Sequence, residues 1–161
     1  MGRKSDISAG LLVYRNPGNF EVLLAHPGGP YWARKDAGAW TIPKGLVESD
    51  DELLATAQRE FTEETGFVAQ GPFRPLAPVT QKSGKIVHAF ATQGDFDPDQ
   101  LVSNTFEIMW PPRSGRLKSF PEVDRLGWFD YAQAREKLLA YQQPFLVELK
   151  EMLAQRQALT Q

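Results

Sequence analysis

The sequence contains no cysteine. That excludes disulfide frameworks, thiolate zinc sites and cysteine nucleophiles together, and it fits a reducing compartment. Histidine is nearly absent too: His26 and His88 are the two present. A polyhistidine metal centre is therefore not expected, and any metal should be a hard cation held by oxygen. No apolar run approaches the ~20 residues of a membrane span. Met1–Asp6 lead into no signal-peptide core, and Asp6 stands where a myristoylation signal wants Ser or Thr. A surplus of positive charge is missing: 18 Lys and Arg face 20 Asp and Glu, for a formal net charge of −2. General nucleic-acid binding is not expected from that balance. There is no Walker A loop, no G-x-G-x-x-G and no G-x-S-x-G, so kinase, Rossmann dehydrogenase and serine-hydrolase readings have no support. The expectation is a cytoplasmic protein without a membrane partner; no motif speaks to its oligomeric state.

What is present is a globular composition, 42% hydrophobic and 24% charged over 161 residues. One domain over 1–161 is expected, burying roughly 70% of its unfolded surface. Residues 7–14 read as a buried strand, Asn16–Asn19 as a turn and Phe20–Ala25 as a second strand, so the pair predicts a hairpin. His26–Gly38 is a long loop rich in Gly and Pro, with Tyr31 and Trp32 on it. Long ordered loops in compact domains are often functional. Trp40–Ile42 predicts a short strand stopped by Pro43. Ser49 or Asp50 predicts the cap of a helix running to about Thr65, with Gly66 as its stop. Leu54, Ala57 and Phe61 form the buried stripe of that helix. Strands are expected at Ile86–Thr92, Val102–Trp110 and Leu126–Phe129, with an irregular loop at Pro111–Arg116. Helices are expected at Ala132–Tyr141 and from Pro144 to about Ala158. This order predicts an α+β fold, helices packed on a mixed sheet.

The chemistry concentrates on the first helix. At 3.6 residues per turn, Glu60, Glu63 and Glu64 fall within an arc of roughly 100°. Like charges at this spacing repel, and a divalent cation turns the repulsion into attraction. Oxygen-only ligands select Mg²⁺, with Mn²⁺ as a second choice. The ordinary reading of such a run is a solvated acidic face; the flanking residues decide against it.

Arg59-Glu60-Phe61-Thr62-Glu63-Glu64-Thr65-Gly66-Phe67, with Gly45 at a fixed distance before it, closely resembles the Nudix box, G-x5-E-x7-R-E-U-x-E-E-x-G-U. Asp51 stands where the box has its first Glu, and Phe61 and Phe67 replace aliphatics. The resemblance implies an α/β/α sandwich with a mixed sheet, a catalytic helix and C-terminal helices. It implies metal binding by Glu60, Glu63, Glu64 and the carbonyl of Gly45, with Arg59 orienting the glutamates. It also implies hydrolysis of a nucleoside diphosphate linked to another moiety, water attacking phosphorus. The general base varies within the family. Glu60 and Glu63 in the box, and Glu107 and Glu122 beyond it, are the candidates.

Trp40-Thr41-Ile42-Pro43-Lys44-Gly45 resembles the segment leading into the box of dinucleoside polyphosphate hydrolases. Lys44 is then a candidate point charge for a phosphate oxygen. Further cations lie at Arg34, Lys35, Lys82, Lys85, Arg113, Arg116 and Lys118, and Arg34 is taken as a substrate contact. Trp32 is taken as the base-stacking residue, with Tyr31 and Trp110 as alternatives. His26 and His88 are expected to be structural or peripheral rather than catalytic. Rival readings within the class are an RNA 5′-pyrophosphohydrolase, a nucleoside triphosphate pyrophosphatase and an inositol or sugar diphosphate hydrolase. Outside it stands a non-catalytic nucleotide-binding module.

Overall fold

The computed structural model describes residues 6–48 and 50–160. Strands β1 (Ile7–Arg15) and β2 (Glu21–Pro27) form the expected antiparallel hairpin around a 3₁₀ turn at Pro17–Asn19. Along β1 the side chains alternate between two cores. Leu11 and Val13 belong to one cluster, Leu12 and Tyr14 to the other, as a period of two requires. The strand is buried on both faces, which is why it reads as a continuous apolar run.

Strand β6 (Ile86–Gln93) lies parallel to β1, and β9 (Val123–Asp130) lies antiparallel to β2. Short strands complete the sheet: β4 (Arg74–Pro75) and β5 (Val79–Thr80) pair with β6, and β3 (Lys44–Leu46) pairs with β1. Helix α1 (Leu53–Thr65) covers one face, packing Ala57 and Phe61 against Ala9, Leu11 and Val13. Helices α2 (Tyr131–Lys137) and α3 (Gln143–Thr160) cover the other, with Phe145, Leu146 and Leu149 against Leu12, Val22 and Leu24. The result is the expected α/β/α sandwich around a mixed sheet. Among the described residues no helix is long and apolar enough to cross a membrane.

Four expectations need correction. Trp40–Ile42 is not a strand: Trp40 and Thr41 make isolated bridges to Leu138 and Ala25. The Ile42 N–H is taken by the buried Gln142 side chain at 3.0 Å, and pairing with β1 begins only after Pro43. Helix α1 starts at Leu53, with Glu52 at the N-cap position and no side-chain cap. A turn closed by Asp51 N–H to Glu48 O at 3.0 Å places Asp50 ahead of the helix, and Ser49 lies outside the described residues. Residues 102–110 contribute only β7 (Thr105–Met109), which pairs with β8 (Leu117–Pro121), a strand the sequence did not reveal. β8 is exposed apart from the half-buried Phe120, so it carries almost no hydrophobic alternation. Helix α2 ends at Lys137 rather than Tyr141, because Leu138 turns in to bridge Trp40.

The long loop after β2 is held by specific bonds. His26 is fully buried; its Nε2 donates to the Lys35 carbonyl at 2.6 Å, and its Nδ1 faces Asp124 Oδ1 at 2.7 Å. Asp36 accepts from Trp40 Nε1 at 2.7 Å and from Lys137 Nζ at 2.5 Å. His26 thus fills the structural role expected of it.

Candidate active site

Helix α1 presents Glu60, Glu63 and Glu64 to a cleft of about 310 Å³, whose walls also include Lys44, Gly45, Glu48, Asn104 and Glu122. The helix stops cleanly below it. Gly66 takes a left-handed φ of 84° and its N–H bonds the Thr62 carbonyl at 2.8 Å, a geometry glycine adopts without strain.

Three acidic groups in the cleft are perturbed. Burial pushes the Glu64 carboxyl up to about 9; the charge of Glu60 adds to this, while Lys44 and a backbone hydrogen bond from Lys44 oppose it. Glu60 is raised by burial and then by Glu63, with Arg59 opposing. Glu122 is raised by burial and then by Glu63. Crowded carboxylates that resist ionising are a signature of a functional site. The donor set is hard oxygen throughout, which fits a small divalent cation. No three of these groups converge on one point among the described residues. Such an open rim of oxygens suits a cation that keeps waters and completes its shell with substrate phosphates.

Gly45 is needed for this rim. A Cβ there would meet the Glu60 carboxylate atoms at 2.0–2.4 Å. Gly45→Ala is expected to displace Glu60 by about 1 Å and lower kcat/KM by roughly 10²-fold. Steady-state kinetics beside a Tm measurement checks this, and a variant with unchanged kinetics would contradict the packing.

Arg59 sits among the acidic groups. Its Nη1 lies 3.4 Å from Asp51 Oδ2, its Nη2 3.6 Å from Glu60 Oε1 and its Nε 4.0 Å from Glu63 Oε1. Glu122, at the junction of β8 and β9, is fixed by backbone bonds on both sides. Its N–H donates to the Asn104 carbonyl at 2.7 Å, and its carbonyl accepts from Gly28 N–H at 2.9 Å. Asn104 N–H in turn donates to the Glu63 carbonyl at 2.8 Å. Glu107 is not brought into the cleft: it is exposed on β7, opposite Ser119.

Two further cavities continue from the cleft. One, of about 360 Å³, is walled by Tyr31, Trp32, Phe106, Ile108 and Glu122. The other joins Trp32 and Tyr141 to Lys44, Glu64 and Glu122. Tyr31 and Trp110 meet edge to face at 5.4 Å. Arg34 is exposed on the loop and lines none of these three cavities. Lys35 lies over the Trp32 ring at 5.1 Å. Sequence reasoning missed Asn104, Phe106 and Tyr141, which become neighbours of the box only through the fold.

The family model of the NUDIX domain matches residues 4–149. The chain belongs to this family. Nudix membership supports a pyrophosphohydrolase, and the box at 45–67 coincides with the carboxylate cleft. The fold superposes on a C. elegans Ap4A hydrolase in a binary complex with a TM-score of 0.59 at 20% identity, over 95% of this chain and 97% of that one. A mutT/nudix family protein from Listeria innocua gives 0.59 at 17% identity, over 96% and 97%. The NUDIX domain of Shewanella oneidensis NrtR complexed with ADP ribose gives 0.57 at 17% identity, over 93% and 86%. At these identities the likeness is one of fold. No curated protein sequence gives a significant match.

The Nudix box departs from its pattern at Asp51, and the structure shows what that residue touches: Arg59, with both side chains 42% exposed. An exposed pair contributes only about 0–1 kcal/mol. Asp51→Glu, which restores the family residue, should therefore leave kcat/KM within about threefold and stability within about 1 kcal/mol. A tenfold fall with the fold intact would show that the shorter side chain has its own geometry here.

Proposed function

We propose that this Nudix chain is a Mg²⁺-dependent pyrophosphohydrolase, with Mn²⁺ as a substitute. Its substrate is a nucleoside diphosphate-linked compound, and dinucleoside polyphosphates are favoured. The observation that carries this reading is the continuity of the cavities: Glu122 belongs to both the carboxylate cleft and the aromatic cavity. A phosphate chain in the first places a base in the second, where Trp32 contributes about 1–3 kcal/mol by stacking.

Glu60, Glu63, Glu64 and the Gly45 carbonyl would hold the cation, with waters and substrate phosphates completing its shell. When bound, it neutralises phosphate oxygens and makes water a stronger acid. Glu122 takes the proton of the attacking water. Its raised proton affinity and its doubly anchored backbone suit a general base. Arg59 is a positioning residue that orients Glu60 and Glu63. Lys44 offers its ammonium to a phosphate beyond the one attacked.

Lys44 is the residue that tests the substrate class. A charged hydrogen bond contributes about 1.5–3 kcal/mol. Lys44→Ala should therefore lower kcat/KM by roughly 10- to 100-fold for a four-phosphate dinucleotide, mainly through KM, and much less for ADP-ribose. Equal losses on both substrates would withdraw the preference for dinucleoside polyphosphates and leave the Nudix assignment standing. Cation-dependent binding of nucleotides with no turnover of any would favour the binding module instead.

A further inference from the structure

A second polar cavity, of about 370 Å³, opens on the opposite side of the sheet. It lies where β1 and β6 end, between the 71–74 segment and α3. Lys44 of the carboxylate cleft pairs with Gly10 of β1, and Tyr14 is four residues further along. At ~3.3 Å per residue the two sites are about 13 Å apart along the strand. Tyr14 also belongs to the α3-side core rather than the α1-side core.

Arg74, Arg156, Tyr14 and Gln93 line this cavity, and no Asp or Glu does. Among the described residues Arg74 and Arg156 have no carboxylate partner, unlike Arg15, Arg59 and Arg125. Arg34, Arg113, Arg116 and Arg135 have none either, and what sets Arg74 and Arg156 apart is the cavity they share. Both arginines border one space, and Arg156 is tied in place: its Nη1 donates to the Tyr14 hydroxyl at 3.0 Å. Tyr14 is only 3% exposed. With its oxygen accepting from Arg156, its own O–H remains as a donor, and it meets no acceptor among the described residues. The walls of the cavity therefore hold two arginines and a buried tyrosine hydroxyl, with no carboxylate among them to neutralise the charge. Forked guanidinium N–H groups match tetrahedral oxyanions.

We propose that this cavity binds a phosphate group, separately from the carboxylate cleft. The phosphate is either inorganic phosphate or the terminal group of a small ester whose organic part lies on Phe73 and Met152.

The test is titration of inorganic phosphate into the whole chain in EDTA at constant ionic strength, followed by ³¹P line width. Without divalent cations the carboxylate cleft repels anions. Saturable binding is expected in the wild type. Arg74→Gln and Arg156→Gln should each weaken it by about tenfold or more, and Lys44→Ala should not. Arg74 is exposed, so its variant keeps the fold even if Arg156→Gln loosens α3. A parallel titration with a simple alkyl phosphate, which has no base for the Trp32 cavity, separates the sources. An equal midpoint means that the site reads the oxyanion alone, and a tighter one means that it reads the ester as well. Absence of saturable binding in the wild type would overturn the proposal. So would an unchanged midpoint in Arg74→Gln, or loss of binding in Lys44→Ala alone.

Discussion

Glu64→Gln is expected to lower turnover by about 10³-fold at saturating Mg²⁺ while leaving the fold intact. Glutamine keeps the size of the side chain and still accepts the backbone hydrogen bond from Lys44. It loses the charge that the proposed cation site relies on, and metal-borne charge stabilisation contributes several kcal/mol, which is a factor of this order in rate. The pH dependence of stability separates this role from a structural one. Burial and Glu60 raise the folded-state Glu64 carboxyl from 4.5 to about 9. Between those values the folded chain keeps a proton that the unfolded chain has released. The wild type in chelator should therefore lose stability as pH rises through that window. Glu64→Gln should flatten the slope and be the more stable protein at the alkaline end. Divalent cations should raise the Tm of the wild type and not that of the variant. Wild-type activity in Glu64→Gln would remove Glu64 from the metal site.

Glu122→Gln should lower kcat by about 10²–10⁴-fold, the contribution of a positioned general base. Glu107→Gln should leave kcat within about twofold, since an exposed substitution away from the site changes little. From sequence the two glutamates stand equal. In the fold Glu122 lines the cleft, its carboxyl is raised by burial and then by Glu63, and its backbone is tied to Asn104 and Gly28. Glu107 faces solvent in the β7–β8 hairpin. Comparing kcat and its pH profile in the two variants decides between them. The acidic limb owed to a deprotonated base should change in Glu122→Gln alone. A large loss in Glu107→Gln would contradict the placement of the base.

What the sequence revealed and what it concealed follow from the range of the interactions. Glu60, Glu63 and Glu64 share a helix, so their common face follows from 3.6 residues per turn. Gly66 ends that helix by a local rule. The continuous apolar run along β1 showed a buried strand. Glu122 and Asn104 reach the cleft through contacts between distant segments, which no local pattern encodes. Trp40–Ile42 has the composition of a strand, but Gln142, a hundred residues away, takes its N–H group. β8 leaves no periodic signature in the sequence because its side chains are nearly all exposed. The helix start slipped from Asp50 to Leu53 because Glu48 and Asp51 close a turn before the helix begins.

The central claim is that the carboxylate cleft directs water onto phosphorus in a nucleotide-linked phosphoanhydride. The most direct test incubates the protein with Mg²⁺ and diadenosine tetraphosphate, ADP-ribose and nucleoside triphosphates in ¹⁸O-labelled water, with mass analysis of every product. The expected result is turnover that requires Mg²⁺ and puts one ¹⁸O on the phosphate of a single product, with the four-phosphate dinucleotide cleaved fastest. Absence of turnover across the panel, with nucleotides still bound, would contradict the claim.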